Sequence, residues 1–235
     1  MVNESRNIQS VERAMYLLER IAAAGGKARL AELAAESGLH KATLHGLLNT
    51  LCALGYVGRE GRAYVLGLRF RELAQSLDNA DEALRHRFRP LAERLHAHCG
   101  EAVYLAVPCG TREYLYIDVV GGGYFQGVSP RGRREGLTTS ATGKVFLAFL
   151  PEMLRSLRRA EKLPAGLNAE LKAVAERGYA LDLAESEAGL HAFALPLFSG
   201  GRIVAGIAVA GAAERLPQAR LHEWAVLAKA WAAAY

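Results

Sequence analysis

Two short helical patterns separated by a glycine-containing turn are the feature that most constrains the N-terminal part of this chain. Residues 30–36 and 41–54 each place apolar side chains at helical spacing, and Ser37 and Gly38 interrupt the pattern between them. The longer segment carries a single leucine stripe made of Leu44, Leu47, Leu48 and Leu51. Two short helices joined by a brief turn that contains glycine form the helix-turn-helix pattern. This part of the chain is therefore predicted to fold as a helix-turn-helix.

The segments on either side extend this pattern to a winged helix. Residues 8–21 place apolar side chains at three- and four-residue intervals, which predicts a first helix that ends before Gly25. Residues 56–57 and 64–66 have the composition of strands, and the glycine-containing tip between them includes two arginines. Three helices followed by a hairpin with a basic tip predict a winged helix-turn-helix.

The hydrophobic period changes near Gly100, and this change divides the chain. Residues 68–98 keep a helical spacing, and the polar run at residues 78–81 predicts two helices joined near residue 79. After Gly100, β-rich and helical segments alternate, with strands expected at 102–107, 114–120, 124–128, 179–183, 191–197 and 203–210, and helices at 140–150, 154–159, 168–177 and 220–234. The predicted fold class is α+β, with a winged helix-turn-helix over residues 1–67, a helical linker over 68–99 and a sheet-and-helix domain over 100–235.

Composition and charge are compatible with a nucleic-acid partner and give no sign of a membrane partner. Hydrophobic residues make up 51% of the chain and charged residues 23%, which is typical of a globular protein. The longest apolar runs, such as residues 145–150, are far shorter than the roughly 20 residues of a membrane span. The formal net charge of +5 permits binding to nucleic acid. The chain starts without an apolar export signal, and its three cysteines make no disulfide framework, so a cytoplasmic location is expected.

Several short motifs, taken in their order and spacing, resemble the IclR family of bacterial transcription regulators. In the N-terminal part they lie at residues 8–14 (IQSVERA), 38–45 (GLHKATLH), 54–56 (LGY) and 64–67 (YVLG). In the C-terminal part they lie at residues 142–148 (TGKVFLA), 177–180 (RGYA), 187–190 (EAGL) and 194–197 (ALPL). Each motif alone has little specificity. Their combination spans nearly the whole chain and is specific.

The resemblance implies a ligand-responsive, DNA-binding transcriptional regulator. Family members combine a winged helix-turn-helix, a linker helix and a GAF-like domain that binds small organic acids or aromatic compounds. They are typically dimers or pairs of dimers. The partners expected from the resemblance are therefore a double-stranded DNA operator, a small organic acid effector, and a second copy of the chain in a homodimer or a dimer of dimers.

The predicted recognition helix, residues 41–54, carries the candidate DNA contacts. With its leucine stripe turned inward, Lys41, Thr43, His45 and Asn49 face outward, and such helices contact base edges mainly through their N-terminal residues. Arg59 and Arg62 at the wing suit a phosphate or a minor groove. Similar family members usually have serine where Ala42 stands and arginine where Gly46 stands, so one phosphate or base contact is missing here.

Residues 138–143 open a helix whose first amides and dipole attract an anion such as a carboxylate, which makes Ser140, Ala141 and Thr142 candidate effector contacts. The resemblance adds five lining residues, namely Asp182, Leu190, Ala192, Ala208 and Ala210. Relatives that bind small polar acids tend to have cysteine or serine at the last three positions. Three alanines favour a larger and less polar effector, with Tyr124 and Phe125 as aromatic partners for its body.

Two other function classes compete with this interpretation. The first alternative is a metal- or redox-sensing regulator. It is suggested by His96, His98 and Cys99, which lie close together in the sequence, and by His86 before them. Adjacent residues diverge on a helix, however, and no second cysteine follows at a ligand spacing. A small-molecule enzyme with a helical association domain is the other alternative, although no nucleophile–base set and no zinc or phosphate-loop motif occurs. No catalytic residue, cofactor or metal is expected.

Overall fold

The computed structural model describes residues 8–122 and 134–235, without the side chains of Ser76, Arg134 and Glu135. The chain forms two compact units that divide between Ala80 and Asp81. The strand expected at residues 124–128 and the aromatic pair Tyr124 and Phe125 lie outside the described residues.

The N-terminal unit is the predicted winged helix-turn-helix. Its elements are α1 (Gln9–Ala23), β1 (Lys27–Arg29), α2 (Leu30–Ser37), α3 (Lys41–Ala53), β2 (Val57–Glu60) and β3 (Ala63–Leu66). The turn after α2 is made by Gly38, whose φ of +62° is left-handed, a conformation that glycine adopts without strain. The three strands form an antiparallel sheet in the order β1-β3-β2. The sequence did not indicate β1, since three residues are too few to show a period.

The core of this unit is built by one face of each helix. Leu44, Leu48 and Leu51 of α3 are buried with Leu17, Leu18 and Ile21 of α1, and they pack with Leu33, Val57 and Tyr64. The first half of the α1 stripe is different. Ile8, Val11 and Met15 are 67%, 52% and 54% exposed, so their apolar surface is not used inside this unit.

The segment predicted as two helices is a single helix, α4 (Arg69–Cys99), which contains Pro90. The expected break near residue 79 is therefore wrong. Asp78 and Asn79 are exposed, so their side chains stay in water and need not compete with the helical backbone bonds.

The C-terminal unit is built on a six-stranded antiparallel sheet. Its elements are β4 (Ala102–Cys109), β5 (Glu113–Val120), β6 (Arg134–Glu135), α5 (Ala141–Phe149), α6 (Pro151–Ala160), α7 (Leu167–Arg177), β7 (Ala180–Leu183), β8 (Leu190–Ser199), β9 (Arg202–Ala212) and α8 (Gln218–Ala232). The strand order is β6-β5-β4-β9-β8-β7. Helices cover both faces, which gives the mixed α+β architecture expected from the sequence.

The two faces of this sheet differ in side-chain size. On one face Val103, Leu105, Phe193, Leu195, Ile207 and Val209 pack in a core with α8 and the C-terminal part of α4. On the other, Ala102, Ala106, Ala192, Ala194, Ala208 and Ala210 pack with α5, α6 and α7. Successive side chains of a strand point to opposite faces, so the alternation of alanine with large residues in β8 and β9 makes that part of one face shallow, whereas β4 and β5 place Tyr104, Tyr114 and Tyr116 on the same face. The space above that face is available for a cavity.

Candidate functional site

The recognition helix α3 presents the four predicted DNA-contact residues to solvent. Lys41, Thr43, His45 and Asn49 are exposed, whereas Leu44 and Leu48 between them are buried. Gly46 is exposed as well, and a Cβ built at this position meets nothing within 4 Å. The outward face of α3 is thus polar and unobstructed within its unit.

The wing is tied to this helix by Arg59. The Arg59 guanidinium donates to the side-chain oxygen of Asn49 at 2.9 Å and to the Tyr64 hydroxyl at 3.1 Å, and it lies 5.1 Å from the centre of the Tyr64 ring. Arg62, in the turn of the hairpin, is exposed. The sequence placed Arg59 and Asn49 in the same candidate surface but not in contact with each other.

A cavity of about 260 Å³ lies on the alanine face of the C-terminal sheet. All eight residues predicted to bind an effector line it, namely Ser140, Ala141, Thr142, Asp182, Leu190, Ala192, Ala208 and Ala210. Strand pairing explains the wall, because Asp182 pairs with Ala192 and Ala192 pairs with Ala210. The three side chains therefore stand in one row across the sheet. The structure brings the predicted set together in a single cavity.

Ser140 acts as the N-cap of α5. Its hydroxyl oxygen accepts from the Gly143 amide at 3.1 Å and from the Tyr114 hydroxyl at 2.8 Å, and its own proton goes to the Gly136 carbonyl at 3.1 Å. Its hydrogen-bonding capacity is largely used inside the protein. The amides of the next two residues, Ala141 and Thr142, have no acceptor within the helix and belong to residues that line the cavity. The helix start can therefore bind an anion through these two amides.

Asp182 is 1% exposed and is engaged by the loop that follows it. One carboxylate oxygen accepts from the amides of Glu185 at 2.9 Å and Ser186 at 3.3 Å, and the other accepts from the Ser186 hydroxyl. Three donors occupy most of the lone-pair directions of a carboxylate. The hydrogen bonds therefore give Asp182 a structural task, the shaping of the loop between β7 and β8, in addition to its place on the cavity wall.

Sequence reasoning missed several lining residues, among them Tyr104, Tyr116, Ser186 and Glu187. The rings of Tyr104 and Tyr116 lie 5.1 Å apart, and Tyr104 pairs with Ala208 across the sheet. The signal that could have identified Tyr104 is strand register, because a residue paired with an alanine of the cavity wall points to the same face of the sheet. Register between β4 and β9 could not be read from one sequence, since about a hundred residues separate these strands.

Sequence reasoning also assigned no role to Lys144. This residue of α5 is completely buried, and its ammonium contacts the Leu181 carbonyl at 3.1 Å, a Glu185 oxygen at 2.5 Å and a Glu170 oxygen at 2.8 Å. Two carboxylates and one carbonyl satisfy the three ammonium protons, which is how a lysine can be buried with its charge. Lys144 thus connects α5 to α7, β7 and the loop beside the cavity.

The histidines and cysteine near the end of α4 have separate contacts. The His96 ring is 2.8 Å from the Glu101 carbonyl, and the His98 ring packs against Trp224 and Trp231 at 5.9 and 5.4 Å. Burial, with a smaller effect from the charge of Glu101, raises the pKa of the Cys99 thiol to about 12. A thiol with that pKa stays protonated at neutral pH, which disfavours both metal ligation and redox sensing.

Comparisons with known proteins agree with this architecture. The family model described as "Bacterial transcriptional regulator IclR C-terminal" matches residues 74–235, and the model described as "IclR helix-turn-helix domain" matches residues 10–61. The chain is 30% identical to the HTH-type transcriptional regulator XynR of Escherichia coli (strain K12), over 91% of this chain and 90% of the relative. It is 34% identical to the glycerol operon regulatory protein of Streptomyces griseus, over 90% and 88%.

Solved structures show the same fold. An IclR family transcriptional regulator from Brucella abortus has a TM-score of 0.71 and 24% identity, covering 99% of this chain and 95% of that one. An IclR homolog from Microbacterium hydrocarbonoxydans complexed with 4-hydroxybenzoate has a TM-score of 0.67 and 22% identity, covering 97% and 100%.

Among residues 8–122 and 134–235, no helix combines the length and apolarity needed to cross a bilayer. The helix-turn-helix, the effector-type C-terminal unit and the matching family models together lead to one assignment. The chain belongs to the IclR family of bacterial transcriptional regulators.

Proposed function

We propose that this regulator binds a small aromatic carboxylic acid in the cavity of its C-terminal unit and that the acid changes its binding to a DNA operator. One observation carries the effector assignment. The residues with open amides at the start of α5, Ala141 and Thr142, line the same cavity as the alanine wall. An anion is stabilised at a helix N-terminus by backbone donors and by the dipole.

One wall of the cavity favours an apolar body on this acid. Leu190, Ala192, Ala208 and Ala210 supply aliphatic surface without hydroxyl or thiol groups, and the rings of Tyr104 and Tyr116 are suited to stacking. The 4-hydroxybenzoate complex of the structural neighbour from Microbacterium hydrocarbonoxydans supports an aromatic acid for this chain also.

DNA binding is assigned to the face of α3 formed by Lys41, Thr43, His45 and Asn49. Arg59 and Arg62 of the wing are assigned to the phosphate backbone of the DNA. The exposed positions of these side chains support the assignment. The proposal keeps the domain boundaries predicted from the sequence, with the DNA-binding domain over residues 1–67, the linker over 68–99 and the effector domain over 100–235.

Dimerisation is assigned to the apolar surface left on the helices of the N-terminal unit. Ile8, Val11, Met15, Leu68 and Leu77 are each more than half exposed, and exposed apolar side chains of this kind favour contact with a second copy of the chain. A homodimer, alone or paired into a dimer of dimers, would present two recognition helices to half-sites roughly 34–36 Å apart. Sedimentation should show a dimer or larger; a stable monomer at micromolar concentration with full DNA binding would overturn this assignment.

The effector assignment is tested by calorimetry with benzoate, methyl benzoate and glyoxylate. Benzoate should bind, and its uncharged ester should bind at least tenfold more weakly, because the ester lacks the charge that the helix start stabilises. In a mobility-shift assay with the DNA upstream of the gene for this protein, the fraction of bound DNA should change when benzoate is added. Tight binding of glyoxylate with no binding of any aromatic acid would show that the alanine wall has been misinterpreted.

A matched pair of variants tests the helix start itself. Ala141→Pro removes one open amide, and proline is accepted at the first helical position. Ser140 before it is extended, with ψ of 147°, which a following proline requires. Ala141→Gly keeps the amide and serves as the control. Ala141→Pro should weaken benzoate binding about tenfold, which corresponds to one hydrogen bond to a charged group, and Ala141→Gly should change it less than threefold.

A further inference from the structure

The loop between β7 and β8, residues 184–189, presents to the cavity one carboxylate that accepts no hydrogen bond from the described residues. Glu187 lines the cavity and is half-buried. Among residues 8–122 and 134–235, no hydrogen bond or ion pair reaches its side chain, although its backbone carbonyl accepts from the Leu190 amide at 3.1 Å. A half-buried carboxylate that accepts no hydrogen bond is less well solvated than one in water. A ligand that places a hydrogen-bond donor beside it therefore gains a favourable interaction.

The two acids that precede Glu187 in this region, Asp182 and Glu185, already have partners. Asp182 accepts three hydrogen bonds from Glu185 and Ser186, as described above. Glu185 is paired with the buried ammonium of Lys144. Glu187 is therefore the carboxylate of this loop that remains available to a ligand.

The loop is also fixed well enough to present Glu187 in a defined position. Asp182 holds it from the β7 side, and Lys144 holds Glu185 from α5. The Ala184 amide donates to the Leu190 carbonyl at 2.9 Å, which closes the loop at its base. Ala184 has a φ of +62°, a left-handed conformation that a residue with a side chain adopts only when its surroundings impose it.

We propose that Glu187 is a specificity-determining residue that selects effectors with a hydroxyl group, accepting a hydrogen bond from that hydroxyl. The proposal rests on the function proposed above, in which the effector carboxylate lies at the start of α5. It assigns the hydroxyl to Glu187 and leaves Asp182 and Lys144 as positioning residues that hold the loop. A site that hydrogen-bonds a ligand hydroxyl rejects the analogue without the donor, because its own acceptor is then left unpaired.

The test is calorimetry on the full chain with three probes, namely 4-hydroxybenzoate, 3-hydroxybenzoate and 4-methoxybenzoate. The methoxy compound keeps the ring, the carboxylate and the second oxygen but has no donor. The unmodified protein should bind one of the hydroxybenzoates at least tenfold more tightly than 4-methoxybenzoate. In Glu187→Ala the affinities for the preferred hydroxybenzoate and for 4-methoxybenzoate should differ by no more than about twofold. The affinity for benzoate itself should change less than threefold.

Two further variants keep the result interpretable. Glu187→Gln is isosteric and keeps an acceptor oxygen without the charge, so it should retain part of the ratio. Glu223→Gln removes an exposed carboxylate on α8 and should leave the ratio unchanged. Melting temperatures without ligand check that each variant is folded.

The outcomes separate the two proposals. If aromatic acids bind but the unmodified protein shows no preference for the hydroxyl, or if Glu187→Ala keeps that preference in full, the role of Glu187 is overturned and the effector assignment stands. If no aromatic acid binds the unmodified protein, the effector assignment fails and the role of Glu187 fails with it.

Discussion

The guanidinium of Arg59 in the wing donates a hydrogen bond to the side-chain oxygen of Asn49 in the recognition helix, with the two atoms 2.9 Å apart. This bond joins two side chains that the proposed function places on the DNA. It orients the Asn49 amide, and it leaves further donors of the Arg59 guanidinium for a phosphate.

Arg59→Ala should therefore weaken DNA binding in two ways. The loss of a phosphate contact should lower the slope of log affinity against log salt by about one unit. The loss of the Asn49 anchor should make Asn49→Ala less harmful in the Arg59→Ala background than in the unmodified protein. Titrations of operator DNA at several salt concentrations measure both effects. Lys172→Ala, which removes an exposed lysine from α7, is the control, and an unchanged slope in Arg59→Ala would remove this arginine from the phosphate contacts.

Gly46 lies inside the exposed face of α3, where a Cβ has open space. Gly46→Ala should raise the free energy of unfolding by about 0.5–1 kcal/mol, because glycine loses more backbone entropy than alanine in a helix. Gly67→Ala is the matched contrast, since a Cβ at that position would overlap the backbone of Gly55. Urea denaturation should show stabilisation for the first variant and clear destabilisation for the second. Equal effects at both positions would contradict the packing described for this unit.

Lys144 should contribute more to the free energy of unfolding than an exposed lysine does. Lys144→Met removes the ammonium shared by Glu170 and Glu185 and leaves the Leu181 carbonyl without that donor. Both carboxylates remain partly exposed, at 34% and 45%, so water replaces part of what is lost. We expect a loss of about 2–4 kcal/mol in the free energy of unfolding. Lys172→Met on α7, where the lysine is 79% exposed, should change it by less than about 0.5 kcal/mol. A loss in Lys144→Met no larger than in Lys172→Met would show that the buried contacts contribute nothing net.

The raised pKa of Cys99 predicts an unreactive thiol. With a pKa of about 12, its thiolate fraction at pH 8 is on the order of one in ten thousand, so iodoacetamide should modify Cys99 slowly in the native protein and quickly in urea. Mass spectrometry of the peptides measures this. Rapid modification of native Cys99 at pH 8 would restore the redox-sensing alternative.

The same shift fixes the sign of a pH effect on stability. The unfolded thiol ionises near its ordinary pKa of 9.0, whereas the native thiol ionises near 12. The contribution of Cys99 is therefore fully present below about pH 9 and is lost as the pH rises toward 12. Cys99→Ala should make stability less sensitive to pH over that window, and an unchanged pH dependence would contradict the burial of this thiol.

Local pattern was enough to predict the class of the fold. The leucine stripe of α3 follows from helical spacing alone, and Leu44 and Leu48 are buried as that spacing requires. The alternation of alanine with large residues in β8 and β9 is likewise a property of consecutive residues. The order of the motifs then indicated the family, and the resemblance implied five of the residues that line the cavity.

Tertiary structure decided what those residues contact. Lys144 meets Glu185, 41 positions away, and Arg59 meets Asn49 across two elements. Asp182 lies on the cavity wall as predicted, but its hydrogen bonds to its own loop were not predicted, and Glu187, known from the sequence only as part of a family motif, lines the same cavity. The physical reason is that hydrogen bonding depends on direction and on burial. Both are fixed only when segments distant in the chain pack together, whereas hydrophobic period is already present in each segment alone.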